Sequence, residues 1–227
     1  MALIIGKRLR RLLRPSLGHG FALVLLLAAG ASMPTAQTQA GTILVVGDSI
    51  SAAYGMDLER GWVALLQQQL SEQQSGWRVV NASISGDTSA GGLQRLPALI
   101  ERHGPDIVVV ELGGNDGLRG YPIAKLRSNL TQMIEISRSQ GAGVLLLAME
   151  IPPNFGARYT GLFRDSYAEV ARATETALAP FILEGIALDS NLMQADGIHP
   201  TASAQPRLLD NVLPHLTPLL AAAGEEP

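Results

Sequence analysis

The sequence predicts an α/β fold with a mainly parallel sheet covered by helices on both faces. Three observations carry this. Short, continuous apolar runs alternate along the chain with segments of helical period. Glycine or small polar residues close most of those runs, so they read as strands rather than helices. Their apolar residues do not alternate with polar ones, so both faces of each strand must be buried, as a βα succession allows.

The succession begins near Gly41. Residues 42–46 (TILVV) are expected as the first strand, ended by Gly47, Asp48 and Ser49. A helix is expected over 62–70, carrying Trp62, Leu65, Leu66 and Leu70, and a second strand over 77–80. Residues 81–92 are rich in Ser, Gly and Asp and read as a loop. The next helix, over 93–102, is limited in its first part by Pro97. A third strand follows over 107–112, closed by residues 113–117, then a helix over 123–138. The fourth strand, over 144–148, ends before Pro152 and Pro153. A helix is expected over 159–179 and a short fifth strand from Phe181 and Ile182. The last helix, over 205–220, is interrupted by Pro206, Pro214 and Pro218. No sequence period repeats and no long linker divides the chain, so residues 41–227 are expected to form one domain.

Composition narrows the function classes. The 227 residues are 47% hydrophobic and 16% charged, as in a folded globular chain. The absence of cysteine excludes disulfide scaffolds, thiolate metal sites and cysteine nucleophiles. Residues 1–40 hold five basic and no acidic residues, then the apolar run FALVLLLAAGA, then small and polar residues. That order predicts a secretory signal, cleaved after Ala31 or Ala40, rather than an uncleaved anchor; the run is short for a span of roughly 20 apolar residues. The mature chain would be periplasmic or secreted, with no stable membrane span. Its 12 basic and 20 acidic residues change the net charge from −3 for the whole chain to −8, which argues against nucleic acid as a partner.

Chemistry-bearing residues cluster where parallel sheets place them, beyond the C-terminal strand ends. Ser49 follows the first strand, Gly86 lies in the loop after the second, Asn115 just past the third, and Asp196 and His199 in a late loop. A serine nucleophile needs an imidazole base held by a carboxylate, and His199 and Asp196, three residues apart, suit one tight turn. The N–H groups of Ser49 and Gly86 and the Asn115 amide are candidate oxyanion donors. The plainer alternatives are a helix cap for Ser49, turn geometry for Gly86 and Asn115, and an exposed loop position for His199. His103 reads as a helix C-terminal residue and His215 as part of the proline-broken tail, so no imidazole metal site is expected. No GxGxxG, GxxxxGK[ST] or GxSxG pattern occurs. Glu111 and Glu150 near strand ends are candidates for a carboxylate pair, but each is expected instead to make a local hydrogen bond or loop contact.

Four ordered blocks carry a resemblance: VVGDSISA around Ser49, NASISGDTSAGG around Gly86, VELGGNDGLRG around Asn115, and MQADGIHP with Asp196 and His199. Together they resemble the SGNH, or GDSL-type, hydrolases, and within them the bacterial TesA group of thioesterase I, protease I and lysophospholipase L1 type. Ile50 departs from the usual leucine of the first block, a swap of similar volume. The resemblance implies a three-layer α/β/α sandwich with a flavodoxin-like, five-stranded sheet. It implies a cofactor-free, metal-free serine esterase with Ser49 as nucleophile, His199 as base and Asp196 as orienting acid. Ser49, Gly86 and Asn115 would form the oxyanion hole, and Asp48 would hold the nucleophile turn. Implied substrates are simple and aryl esters, acyl thioesters and lysophospholipids, and a monomer is compatible with the pattern. Residues 118–121 and 151–159, including Tyr121 and Tyr159, are candidate walls for an acyl chain. Arg119 and Arg158 are candidates for meeting a phosphate headgroup. The rival readings are a lipid-binding protein with an idle triad and a serine peptidase.

Overall fold

Five strands, β1 (Gly41–Gly47), β2 (Trp77–Asn81), β3 (Ile107–Glu111), β4 (Gly143–Leu147) and β5 (Ala177–Ala179), form one sheet in the order β2-β1-β3-β4-β5. Every pairing is parallel. The structure is a computed structural model that describes residues 40–224; the expected signal over residues 1–40 therefore lies outside the described residues, apart from Ala40. The helices are α1 (Trp62–Glu72), α2 (Ser89–His103), α3 (Gly114–Leu118), α4 (Ile123–Ser139), α5 (Ala157–Ala173) and α6 (Gln205–Gly224). Helix α1 packs against α6 on one side of the sheet, while α2 packs on α4 and α4 on α5 on the other. These layers make the α/β/α sandwich.

Burial explains the apolar strands. Residues Ile43 to Val46 and Ile107 to Val110 have no exposed surface, because helices cover both sheet faces. The helices bury single stripes: Trp62, Leu66 and Leu70 in α1, Leu96 and Ile100 in α2, Phe163, Tyr167 and Val170 in α5. The chain leaves β1 toward β2 and returns to the other side of β1 at β3. The C-terminal ends of β1 and β3 therefore flank the point where the winding reverses, and ligands bind at such points. There Gly47 pairs with Glu111 in register.

Several boundaries differ from expectation. Helix α2 starts at Ser89, inside the expected loop, because Thr88 caps it by accepting from the Gly91 N–H at 3.2 Å. Pro97 does not limit α2, and Pro214 and Pro218 do not break α6. All three prolines are exposed, so the carbonyls they leave unbonded face water rather than the core. Pro206 is the second residue of α6, where a missing N–H costs little. Residues 113–117 are not all loop, since α3 begins at Gly114. The helix expected over 159–179 stops at Ala173, and the fifth strand is Ala177–Ala179, not Phe181-Ile182. The alanines are helix formers, yet Glu175 takes a positive φ of 51°, the Thr176 N–H returns to the Ala171 carbonyl at 2.8 Å, and β4 recruits the residues beyond. His215 is an internal residue of α6. Among the described residues, no helix is long and apolar enough to cross a membrane.

Candidate active site

The turn that carries Ser49 is built by its neighbours. Asp48 is buried, its Oδ1 accepts the Ile50 N–H at 3.1 Å, and its Oδ2 accepts the Asn115 amide at 3.2 Å. The Ala52 N–H returns to the Asp48 carbonyl at 2.9 Å and the Tyr54 N–H to the Ser49 carbonyl at 3.0 Å. No helix begins at Ser49, so the cap alternative does not hold; the next helical residues are Leu58–Arg60. Behind the turn, Ser51 Oγ donates to Glu111 Oε2 at 2.7 Å and accepts the Trp62 indole N–H at 3.1 Å. Asn81, at the end of β2, donates to the Ser51 carbonyl at 2.7 Å.

His199 arrives from a hairpin-like loop. Met193 and Pro200 form an antiparallel bridge, and the Gln194 N–H donates to the His199 carbonyl at 2.7 Å. Between them, Asp196 Oδ1 accepts the N–H groups of Ile198 at 2.9 Å and His199 at 3.0 Å. Asp196 Oδ2 lies 2.7 Å from His199 Nδ1, and His199 Nε2 lies 2.8 Å from Ser49 Oγ. The three-residue spacing thus becomes a self-bonded turn that directs one ring nitrogen at the acid and the other at the serine. Burial opposes ionisation of Asp196, but the His199 N–H, the His199 ring and the Ile198 N–H outweigh it and lower its pKa to about 2. The Tyr54 ring stacks on His199, with centroids 4.3 Å apart.

Asn115 sits in α3, directly after β3, and its amide faces Asp48. Gly86 takes φ +81° in a turn closed by the Asp87 N–H on the Ile84 carbonyl, a conformation that disfavours a side chain. Its carbonyl accepts from Arg119 at 3.0 Å, which ties this loop to the end of α3. A second tie lies deeper: Asp116 accepts from the Ser89 N–H at 2.8 Å and hydroxyl at 2.5 Å, and Asn129 donates to the same hydroxyl at 2.8 Å. Arg119 remains exposed while making this bond, and Arg158 lies with Tyr159 along a separate depression.

Ser49, Asn115 and His199 open onto a cavity of about 490 Å³. Leu118, Ile151, Pro152 and Pro153 line it, as expected of an acyl wall. Tyr121 and Tyr159 do not; the Tyr159 hydroxyl instead donates to the Tyr121 carbonyl at 2.8 Å. Gly86 is also absent from the lining. Phe181, Leu183, Ala187 and Leu188 also line it and were not indicated by the sequence, because no motif marks the irregular segment after β5; Met193, the first residue of the MQADGIHP block, lines it too.

Glu111 makes the expected loop contact, to the turn after β1, but over a long range in sequence. It is fully buried, some 60 residues away in sequence from its partners Ser51 and Asp48, whose N–H reaches Oε2 at 3.2 Å. Burial, and then the nearby Asp48 carboxylate, push the Glu111 pKa well above the usual carboxylate range. Burial likewise raises Asp48 to about 6, against the lowering effect of the Ile50 N–H and the Asn115 amide. Glu150 lies on the rim of the cavity. His103 is the last residue of α2, where burial, Arg102 and Arg78 lower its pKa and so weaken any dipole contact. Among the described residues, no group of three or more His, Cys, Asp or Glu side chains is placed to hold a metal ion.

The model of the GDSL-like lipase/acylhydrolase family matches residues 45–205. Esterase TesA of Pseudomonas aeruginosa is 59% identical over 82% of this chain and 92% of its own length. The arylesterase of Vibrio mimicus is 44% identical over 77% of this chain and 87% of its own. The Escherichia coli protein named thioesterase 1/protease 1/lysophospholipase L1 is 44% identical over 80% and 86%. Among solved structures, a crystal structure of TesA superposes with a TM-score of 0.77, covering 78% of this chain and all but 1% of that one (99%). The four sequence blocks, the parallel sandwich and these relatives agree: the chain belongs to the GDSL-like lipase/acylhydrolase, or SGNH hydrolase, family and is a carboxylic-ester and thioester hydrolase.

Proposed function

We propose that the chain hydrolyses simple and aryl esters, acyl thioesters and lysophospholipids through an acyl-enzyme on Ser49. The observation that carries this reading is the continuous relay from Asp196 through His199 to Ser49, at 2.7 and 2.8 Å, opening onto an apolar-walled cavity. Ser49 Oγ attacks the acyl carbonyl as His199 Nε2 takes its proton. The Ser49 N–H, the Gly86 N–H and the Asn115 amide stabilise the oxyanion; Asp48 occupies one amide hydrogen of Asn115 and leaves the second for the substrate. His199 then gives the proton to the leaving alkoxide or thiolate, which departs as alcohol or thiol. A water that loses its proton to His199 cleaves the acyl-enzyme, and the proton returns to Ser49. Asp196 stays ionised, holding the ring in one tautomer and stabilising the imidazolium.

Residues 41–227 act as the hydrolase domain, and residues 1–40 as a removable export signal that delivers it to the periplasm or beyond. There, lysophospholipids and diffusible esters are more accessible than cytoplasmic acyl-CoA. The relatives' names, arylesterase and thioesterase/lysophospholipase, support the substrate classes. Wild type and Ser49→Ala are to be compared on an aryl ester, an acyl thioester and a lysophospholipid. Loss of about 10⁶-fold in kcat on each substrate is expected, with the circular dichroism spectrum unchanged. Absence of wild-type turnover on the lysophospholipid would remove that substrate alone.

A further inference from the structure

The Ser49–His199 contact joins two segments 150 residues apart in sequence, one a largely buried turn after β1 and the other an exposed hairpin-like loop, both outside the sheet. Something must hold these turns in register, because an error of about 1 Å between nucleophile and base can cost about 10²-fold in rate. The Gln194 side chain spans them by hydrogen bonds. Gln194, at the base of the histidine hairpin, donates from Nε2 to the Tyr54 carbonyl at 2.8 Å and to the Pro200 carbonyl at 3.0 Å. Tyr54 closes the turn that Ser49 opens, its N–H on the Ser49 carbonyl at 3.0 Å. Pro200 directly follows His199, and the Gln194 N–H holds the His199 carbonyl itself at 2.7 Å.

We propose that Gln194 is a positioning residue that sets the distance between Ser49 and His199, both hydrogens of its amide being used to clamp one turn to the other. The proposal rests on the acyl-enzyme reading above. Gly55 makes room for the clamp: it has φ +76°, and a Cβ there would stand 2.5 Å from Gln194 Oε1, so only glycine lets the amide approach the Tyr54 peptide. Tyr54 completes the arrangement, since its ring lies on the His199 ring while its carbonyl receives the amide. The clamp does not touch Asn115, Asp48 or the loop of Gly86, so its action is confined to proton transfer between serine and imidazole.

The test is a double-mutant cycle on the full mature chain, with an aryl ester as substrate. Gln194→Met keeps the length and removes both donors; Gln194→Glu keeps the shape and sets a carboxylate against two carbonyls. Each is expected to lower kcat about 10- to 100-fold with KM unchanged, and to slow labelling of Ser49 by a phosphonate to the same degree. The penalty is expected to persist in full in an Asn115→Ala background and to vanish in a His199→Ala background. Unchanged kcat, an equal penalty with His199 absent, or failure of both variants to fold would each overturn the proposal. Retention of full activity by His199→Ala alone would overturn the acyl-enzyme reading instead, so the two failures are distinguishable.

Discussion

Replacing Glu111 by glutamine separates the shape of this buried acid from its titration. In the folded protein Oε2 accepts from Ser51 Oγ at 2.7 Å and the Asp48 N–H at 3.2 Å, whereas Oε1 has no partner among the described residues. The variant's amide oxygen can take the accepting place, but its NH₂ group then falls where Oε1 was and leaves two N–H donors without an acceptor, one more than the O–H of the protonated acid. A buried unpaired donor costs about 1–3 kcal/mol. Of the three pH values below, that loss is expected to show most fully near pH 4, where the unfolded-chain carboxyl, with a pKa of about 4.3, is still mostly protonated, as the folded acid is. Because burial raises the folded pKa, native Glu111 keeps its proton after the unfolded chain has released it, so wild type loses stability as pH rises through this window. The slope is about 1.4 kcal/mol per pH unit until Glu111 ionises in place. Glutamine has no such slope, so the variant's deficit is expected to shrink as pH rises from 4. Urea unfolding of both proteins near pH 4, 6 and 8, at fixed ionic strength, reads the gap directly. A gap independent of pH would refute the argument, since it would mean that Glu111 is already charged when folded.

Three further outcomes are expected. Asn115→Ala should lower kcat about 10²- to 10³-fold with little change in KM on an aryl ester, the effect of losing one oxyanion donor; a change confined to KM would assign the amide to substrate binding. Asp196→Asn should lower kcat about 10⁴-fold by favouring the wrong imidazole tautomer. Since the folded pKa of Asp196 is lowered to about 2, its contribution to stability is present above the unfolded value of about 3.9 and is lost only as pH falls through about 2. A kcat/KM inflection near pH 4 that disappears in Asp196→Asn would contradict this. Along a series of straight-chain p-nitrophenyl esters, each added methylene should raise kcat/KM about fourfold until the cavity is filled, and Ile151→Trp should bring the plateau to shorter chains; identical profiles for the two proteins would place the acyl chain elsewhere.

What the sequence disclosed followed from local chemistry. Ser49, Asn115 and the Asp196–His199 pair were legible because each sits one to four residues beyond a strand end or within one self-bonded turn. The parallel sheet was legible because strands with no exposed face must be continuously apolar. Ala177–Ala179 was not, since three residues of helix-favouring composition become a strand only through their pairing with Leu145–Leu147. The prolines of α2 and α6 misled because their cost depends on which face carries them, and a proline alone does not report exposure. The bonds that Glu111 and Gln194 make were not legible for a related reason. Their partners Ser51 and Tyr54 are 60 and 140 residues away in sequence, and nothing local to either residue marks a bond of that range. The segment from Phe181 to Leu188 combines irregular backbone with ordinary apolar residues, so only the folded chain brings it to the same cavity as Leu118 and Ile151.

The central claim is that Ser49, activated by His199, forms the acyl-enzyme. Incubating the mature protein with a serine-reactive aryl phosphonate and mapping the adduct by peptide mass spectrometry tests it most directly. A single adduct on Ser49, formed in step with loss of esterase activity, slowed strongly by His199→Ala and absent from Ser49→Ala, is the predicted result. Inactivation with the adduct on any other residue, or undiminished hydrolysis by Ser49→Ala, would contradict the account.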